Sequence, residues 1–146
     1  MDLEELSARE EIRALIARYN HAGDRGRLDE LVACFGADGV MEIEGVAPLQ
    51  GRSAIRRHLE RVVSELAAAS ERVSLRHHVS SISIELDSRL EARAHSYFAV
   101  FTEVGLDHWG RYADHFARVD GSWRIAHRRV RVDGSVPGSR MLRNDA

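Results

Sequence analysis

Residues 108–132, HWGRYADHFARVDGSWRIAHRRVRV, decide the fold class of this chain. Aromatic and β-branched residues alternate with polar ones through this stretch, and the pair Asp120-Gly121 divides it into two halves. An Asp-Gly pair between two such runs is typical of a tight hairpin turn, because both residues tolerate positive φ. The sequence therefore predicts antiparallel strands over 108–119 and 122–132.

Two more strands of the same texture precede this hairpin, over 74–86 and 89–104, with turns predicted at 86–89 and 104–107. The apolar residues of the first of these strands change parity along its length. Leu75, His77 and Val79 share one parity, whereas Ile82, Ile84 and Leu86 share the other. A bulge or strong bend near Ser80 and Ser81 would put both groups on one face of the sheet.

The amino-terminal part of the chain predicts helices. Ser7 and Glu10 have the spacing of a capping box, so the first helix is expected over Ala8–Ala22, with Gly23 as its stop. Apolar residues at helical spacing over 28–35 predict a second, shorter helix, VMEIEGV at 40–46 a short strand, and residues 53–66 a third helix. The fold class is α+β: a cone-shaped, barrel-like arrangement of three helices packed on a strongly bent mixed or antiparallel sheet that encloses a cavity.

Length and charge narrow the class of protein. A chain of 146 residues is expected to form one domain over 1–146, with its core at about 8–132 and a loosely ordered tail at about 134–146. The formal net charge is −2, and its 21 basic and 23 acidic residues are interspersed, which disfavours nucleic acid as a partner. The sequence has no long apolar run and begins with acidic residues, so we expect no membrane partner and a cytoplasmic location.

The types of polar residue present favour acid/base chemistry. Eight histidines are present, but none has metal-ligand spacing, and the adjacent His77 and His78 point to opposite faces of a strand. The sequence contains no nucleophile elbow and no phosphate-binding glycine loop. We therefore expect neither a metal nor another cofactor. The single cysteine, Cys34, lies in an apolar run and is interpreted as a core residue.

Four residues are candidates for chemistry, and each also has a purely structural interpretation. Asp24 suits a turn between two helices, where it could cap the second. His77 lies on the apolar parity of its strand and could be a hydrogen-bonded core imidazole. Tyr19 lies on the apolar stripe of the first helix, and Arg128 shares its parity with Ala126, Val130 and Val132, where arginine often extends to solvent.

The order of several motifs resembles the SnoaL-like group of the nuclear-transport-factor-two-like superfamily. The likeness covers about residues 8–132 and rests on four stretches: IRALIARYNHAGDRGRLDELVACFGADGVMEIEG, GRSAI, RHHVSSISIELD and GRYADHFARVDGSWRIAHRR. Superfamily members enclose a cavity between the helices and the bent sheet. Enzymes among them include scytalone dehydratase, a bile-acid dehydratase, hexachlorocyclohexane dehydrochlorinase and ketosteroid isomerase.

The resemblance implies roles for particular residues. An aspartate after the first helix pairs with a histidine on the strand after the third helix in the dehydratases and the dehydrochlorinase, and the matching positions are Asp24 and His77. A catalytic tyrosine of the bile-acid enzyme falls on Tyr19. The dehydrochlorinase uses an arginine five residues beyond the tryptophan of its last hairpin, and the matching position is Arg128. Both dehydratases carry a second polar catalytic group where this chain has Val100, and this departure favours proton abstraction over dehydration.

These observations imply a cofactor-free lyase or isomerase. His77 abstracts a proton from a small, largely apolar cyclic molecule, Asp24 supports it, and Arg128 or Tyr19 stabilises the developing anion. The residues expected to contact the substrate are Tyr112, Val100, Phe98, Phe116, Asp114 and Ile43. The alternative is a non-catalytic module that binds a small ligand or only dimerises. A homodimer or higher homo-oligomer is expected, through an outer sheet face that carries His78, Tyr97, Phe101, Trp109 and His127.

Overall fold

The computed structural model describes residues 1–69 and 73–142. Helices and strands follow one another in the order α1 (Leu3–Asp24), α2 (Leu28–Val32), β1 (Phe35–Ile43), β2 (Leu49–Gln50), α3 (Arg52–Ala68), β3 (Arg76–Leu86), β4 (Glu91–Thr102), β5 (Gly105–Val119) and β6 (Ser122–Ser135).

The six strands form one open, mixed sheet in the order β2-β1-β6-β5-β4-β3. Strand β1 pairs with β6 in parallel, and every other neighbouring pair is antiparallel. The core lies between the helices and one face of this sheet, where α1 contributes a buried stripe that includes Ile12, Leu15 and Ile16. The predicted α+β cone is confirmed.

Helix α1 begins more than a turn earlier than Ala8. Its N-cap is Asp2, whose side chain accepts a hydrogen bond from the backbone N–H of Glu5 and whose own backbone N–H donates to the Glu5 carboxylate. The predicted cap at Ser7 is wrong because the same motif occurs earlier and leaves Ser7 inside the helix, where its hydroxyl donates to Glu11.

The carboxyl end of α1 also differs from the predicted stop at Gly23. Gly26 has a φ of +68°, the N–H of Gly26 donates to Gly23, and the N–H of Arg27 donates to Ala22. This is a Schellman motif, in which glycine takes the left-handed position beyond the helix end. The helix therefore includes Asp24 as its last residue, and Asp24 does not cap α2, whose N-cap residue is Arg27.

The predicted bulge in β3 is confirmed. The pairing of β3 with β4 shifts register between Ser80 and Ser83, and Ser81 has a φ of +51°. Val79 and Ile82 consequently pack against the same core despite their opposite parity. The hairpin at Asp120-Gly121 is confirmed as well, with positive φ at both residues. The preceding turn is shorter than predicted, because β5 already begins at Gly105.

A second bulge, which the sequence did not reveal, changes the face on which Arg128 lies. His115 pairs with His127 and Phe116 pairs with Ile125, so Ala126 is an extra residue in β6. Trp123, Ile125 and Arg128 are therefore all buried on the helix-facing side of the sheet. Arg128 has the parity of Ala126, which the sequence analysis associated with extension to solvent, and the bulge makes that expectation wrong.

The carboxyl-terminal residues extend the fold beyond its predicted boundary. Strand β6 continues to Ser135, and the segment after it packs over the start of β5, where Ser139 and the backbone of Arg140 both donate to Asp107. The tail was expected to be loosely ordered from 134, but residues 134–142 make these specific contacts. Residues 143–146 of the predicted tail lie outside the described residues.

Candidate active site

Asp24 and His77 are in direct contact, although 53 residues separate them in the sequence. Asp24 Oδ1 lies 2.5 Å from His77 Nδ1, and Asp24 Oδ2 accepts a hydrogen bond of 2.9 Å from the His77 backbone N–H. The Asp24 carboxylate therefore fixes both the backbone of β3 at His77 and the imidazole ring of His77. A carboxylate in the last turn of a helix interacts unfavourably with the helix dipole, so Asp24 does not stabilise α1.

The contact with Asp24 determines the state of the imidazole ring. A carboxylate only accepts hydrogen bonds, so Nδ1 of His77 carries the proton and Nε2 of the neutral ring has a free lone pair. The His77 side chain is 19% exposed and that of Asp24 is 9% exposed, so the ring is reached from solvent while its partner is largely shielded. This arrangement can remove a proton from a bound molecule.

A pocket of about 180 Å³ opens beside this pair, between α1 and β3. Arg13, Ile16 and Asn20 on α1 form one wall together with Asp24, and Val79 and Ile82 on β3 form the other together with His77. Apolar and polar atoms both line it. A larger hollow of about 540 Å³ lies on α3, where four charged residues and one serine line it. Neither Asp24 nor His77 is among them, and we assign no chemistry to it.

Arg128 lies in the centre of the fold, and its side chain is fully buried. Its Nε and Nη2 atoms each donate a hydrogen bond of 2.8 Å to the carboxylate of Asp114. The guanidinium carbon lies 4.3 Å from the ring centre of Tyr19 and 3.9 Å from that of Tyr112. Among the described residues, Nη1 of Arg128 has no hydrogen-bond partner. Buried donors of this kind are costly, so Nη1 is a place where a water or ligand oxygen would be stabilised.

Burial and charge keep Arg128 and its two neighbouring tyrosines, Tyr19 and Tyr112, each in one protonation state. Burial alone would lower the pKa of Arg128, but the Asp114 charge and its hydrogen bonds outweigh burial and raise it. Burial raises the pKa of Tyr112 and of Tyr19, although the Arg128 charge opposes the change in both. Arg128 is therefore a permanent cation and both tyrosines remain neutral phenols.

The structure separates the predicted site residues into two groups. Asp24 and His77 form the dyad at the pocket, whereas Tyr19, Arg128, Asp114 and Tyr112 form the buried group. The other predicted substrate contacts belong to the packed interior: Phe98 stacks on Tyr112 at 4.6 Å, Val100 lies beside His77 across the β3–β4 pair, Phe116 is in the main core, and Ile43 is half-buried against that core.

Asn20 links the two groups, and sequence analysis missed it. It lines the pocket, it is 6% exposed, and its amide oxygen accepts a hydrogen bond of 3.4 Å from the Tyr112 hydroxyl. Its position on the buried stripe of α1, four residues after Ile16, could have identified Asn20 from the sequence. A polar amide on an apolar helix face indicates either a buried hydrogen bond or a binding site.

Asp107 and His108 form a second buried carboxylate–imidazole pair that sequence analysis also missed. Asp107 Oδ2 lies 2.7 Å from His108 Nδ1, and the two residues are 2% and 6% exposed. Neighbouring strand residues normally point to opposite faces, so the pair could not be foreseen without the bulge that places Asp107 between the paired residues Leu106 and His108.

Over residues 1–69 and 73–142, no three His, Cys, Asp or Glu side chains are grouped closely enough to hold a metal ion. In the same part of the chain, no helix is long and apolar enough to cross a bilayer.

The fold and the pocket define a class: helices packed on an open, bent, mixed sheet with an acid/base pair at its edge. The model of the SnoaL-like domain matches residues 4–129, and the chain therefore belongs to that family. None of the curated proteins is similar enough to this chain to count as a match.

Solved structures share this architecture over most of their length. A putative scytalone dehydratase from Novosphingobium aromaticivorans superposes with a TM-score of 0.79 at 24% identity, over 93% of this chain and 91% of that chain. The structure of LinA gives a TM-score of 0.80 at 18% identity, with 94% and 95% covered. A protein from Catenulispora acidiphila, in complex with S-DNPA, is 28% identical, with a TM-score of 0.75 and 88% and 95% covered.

Proposed function

We propose that this protein is a lyase or isomerase that needs no cofactor and acts on a small, largely apolar cyclic molecule. The observation that carries the proposal is the contact of 2.5 Å between Asp24 and His77 at the wall of a pocket. In the reaction, Nε2 of His77 accepts a proton from carbon next to a carbonyl group, and Asp24 stabilises the resulting imidazolium.

The polar groups at the inner end of the pocket support stabilisation of the anion that this step forms. Asn20 lines the pocket and contacts Tyr112, whose ring lies against the guanidinium of Arg128. The fixed positive charge favours an enolate oxygen at that end, and preorganised charges of this kind need no reorganisation during reaction. Tyr19 keeps Arg128 in place from the other side.

The size of the pocket supports a small substrate. Drug-sized ligands occupy sites of roughly 300–1,000 Å³, whereas this pocket measures about 180 Å³. A molecule of one or two rings suits that volume, with its apolar part against Ile16, Val79 and Ile82.

The test compares two adjacent histidines with opposite orientations. We expect His77→Gln to lower turnover about 10²–10⁴-fold, the usual contribution of a general base. His78→Gln is the matched control, because His78 is exposed and packs against Phe101 on the other face. The assay screens hydroxy-steroids, hydroxy-naphthalenones, halogenated cyclic compounds and simple cyclic ketones for thermal shift, product formation and loss of a carbon-bound deuterium.

Equal turnover in the His77→Gln and His78→Gln variants would refute the proposal. Asp24→Asn provides a second comparison, since it keeps the shape of the side chain but removes its charge. We expect an intermediate loss of turnover in Asp24→Asn, because the ring remains while its imidazolium form is no longer stabilised.

The second candidate function is binding without catalysis. The complex of the Catenulispora acidiphila protein with S-DNPA supports it, because that protein is crystallised with a small molecule and shares this fold. Compounds that raise the melting temperature of the wild type but are returned unchanged after prolonged incubation would favour binding alone over catalysis.

The outer face of the sheet supports a homodimer or a higher homo-oligomer. Tyr97, Phe101 and Trp109 are 58%, 39% and 38% exposed and lie close together on β4 and β5. A second copy of the chain can cover this patch by presenting the same face to it. We expect Tyr97→Arg to halve the mass measured by light scattering, whereas Val119→Arg, at an exposed position far from the patch, leaves it unchanged. A monomeric wild type would refute the proposal.

A further inference from the structure

The pocket beside the dyad extends along both α1 and β3. Asp24 contacts His77 near the start of β3, whereas Arg9, on an earlier turn of α1, donates a hydrogen bond of 2.6 Å to the Ile84 carbonyl. The helix and the strand therefore run antiparallel along the pocket, and residues earlier in α1 lie beside residues later in β3. The dyad lies at one end of the pocket, and Arg13 lines the other.

The wall between these two ends is apolar. Ile16 on α1 and Val79 on β3 line this stretch. Arg13 precedes Asn20 by seven residues, which corresponds to about 10 Å along the helix axis at a rise of about 1.5 Å per residue. A molecule whose reacting carbon lies at His77 would therefore pass an apolar part of its structure along this wall before it reaches Arg13.

Arg13 brings a charge to the pocket that no neighbouring side chain neutralises. Over residues 1–69 and 73–142, its guanidinium has neither an ion-pair partner nor a hydrogen-bond acceptor. Asp24 is the one carboxylate among the residues that line the pocket, and it is already held by His77. His21, the remaining basic side chain of the pocket, lies at the dyad end, three residues before Asp24. The far end of the pocket therefore presents an available cation.

We infer that Arg13 binds a carboxylate of the substrate, and that the substrate is a cyclic ketone with this carboxylate on a short apolar tether. The inference rests on the proposed function and deepens it, because it names the substrate class of the same pocket. Guanidinium binds a carboxylate through two parallel hydrogen bonds, which fix orientation as well as provide affinity. Arg13 thus acts as a binding residue, and proton transfer remains with His77.

An anchor at the far end of the pocket also affects the reacting end. With its carboxylate at Arg13 and its tether against Ile16 and Val79, the substrate has few ways to place its ring beside His77. Restricting a bound molecule to one orientation lowers the entropic cost of reaching the transition state. A neutral molecule of the same shape would fit the pocket but would lack this anchor.

The test uses two probes that differ only in charge. One is a cyclohexanone that carries a propanoate tether opposite its carbonyl group, and the other is the corresponding primary amide. Both carry deuterium on the carbons next to the ketone, and NMR follows the loss of deuterium to water after subtraction of the uncatalysed rate. We expect the KM of the wild type to be about 10-fold lower for the carboxylate, since a partly exposed, charge-assisted hydrogen bond is lost in the amide.

Three variants assign this preference to one side chain. We expect Arg13→Gln to raise the KM for the carboxylate about 10-fold and to change its kcat less than about 3-fold, because the contact is remote from the reacting carbon. Arg13→Lys retains the charge and should keep part of the preference. Arg18→Gln is the matched control, because Arg18 is exposed on the same helix but does not line the pocket.

Salt provides a second readout, which a purely structural role of Arg13 would not affect. Arg13 is exposed, so its attraction for a carboxylate is screened by dissolved ions. Raising sodium chloride from about 0.05 M to about 0.5 M should increase the KM of the wild type for the carboxylate but not for the amide. The salt dependence should disappear in Arg13→Gln and persist in Arg18→Gln.

Different outcomes separate this inference from the proposed function. A wild type that does not distinguish the carboxylate from the amide would overturn the inference, as would an Arg13→Gln variant that keeps the preference. Unchanged deuterium loss in His77→Gln would instead overturn the proposed function.

Calorimetry on the same two compounds decides the inference even where the wild type exchanges neither probe, a result that would count against the proposed function. The carboxylate should then bind the wild type about 10-fold more tightly than the amide does, a difference of one decade in Kd. In Arg13→Gln the two compounds should bind equally. If the wild type shows no such difference in Kd, Arg13 does not select a carboxylate and the inference is wrong.

Discussion

The Arg128–Asp114 pair and the His77–Asp24 pair each join a basic side chain to a carboxylate, but they differ in exposure. Both side chains of the first pair are fully buried, whereas those of the second are 19% and 9% exposed. Arg128 is a permanent cation with two hydrogen bonds to one carboxylate. Imidazole changes its charge near neutral pH, and His77 lies beside a pocket.

The difference in exposure determines where a proton can move in the molecule. A dry, doubly hydrogen-bonded ion pair supplies a fixed charge and resists rearrangement. A partly exposed imidazole with one nitrogen held and the other free can exchange its proton with a bound molecule or with water. The buried pair therefore has the properties of a structural ion pair, and the edge pair has those that the proposed proton transfer requires.

The largest effect expected from this comparison is on stability. Asp114→Asn leaves the buried guanidinium without its counter-charge, which costs about 3–5 kcal/mol of unfolding free energy for pairs of this kind. Asp24→Asn keeps an oxygen that accepts from the His77 backbone, so we expect a loss of only about 1 kcal/mol. Urea denaturation at neutral pH measures both.

A surface pair provides the control. Asp133 contacts Arg111 at 3.1 Å, and both side chains are well exposed. Such pairs contribute about 0–1 kcal/mol, so Asp133→Asn should be nearly neutral. If Asp24→Asn destabilised the protein more than Asp114→Asn, the assignment of the two pairs to chemistry and scaffold would be reversed.

Much of the fold could be predicted from sequence because its signals are local. The Asp120-Gly121 turn and the change of parity in β3 are visible in a few consecutive residues, and both were confirmed. No comparable local signal indicates the bulge at Ala126. Arg128 can be buried on the apolar side of β6 only because Asp114 on β5 neutralises its charge. That compensation comes from a partner strand and depends on register.

The candidate site was predictable only where a resemblance connected distant residues. Asp24 and His77 have unremarkable neighbours in sequence, and only the motifs of the SnoaL-like group brought them together. His108 had no such support, because its contact with Asp107 depends on the bulge in β5 and on a carboxyl-terminal segment that was expected to be loose. Asn20 was overlooked on the buried stripe of α1, where the apolar pattern dominated.

The smaller effect expected is on the pH dependence of stability, and it comes from the buried imidazole of His108. Burial lowers the pKa of His108 below its ordinary value of 6.5 in the folded protein. The unfolded chain then binds the proton more readily, so stability is complete above about pH 6.5 and falls as the pH drops toward the folded pKa. His108→Gln should flatten this decline in urea denaturation between neutral and mildly acidic pH.

Two comparisons isolate the contribution of His108. The pKa of His58 on α3 is also lowered, first by burial and then by Arg61, so His58→Gln removes a separate part of the same decline and its effect should add to that of His108→Gln. The stabilising effect of ionised Asp107 is lost only as the pH falls below 3.8, outside this window. Arg128 keeps its charge throughout this window, so the cost of Asp114→Asn should stay constant across it. If the destabilisation caused by Asp114→Asn instead changed with pH as His108 titrates, the charge of Arg128 and the protonation of His108 would be energetically coupled.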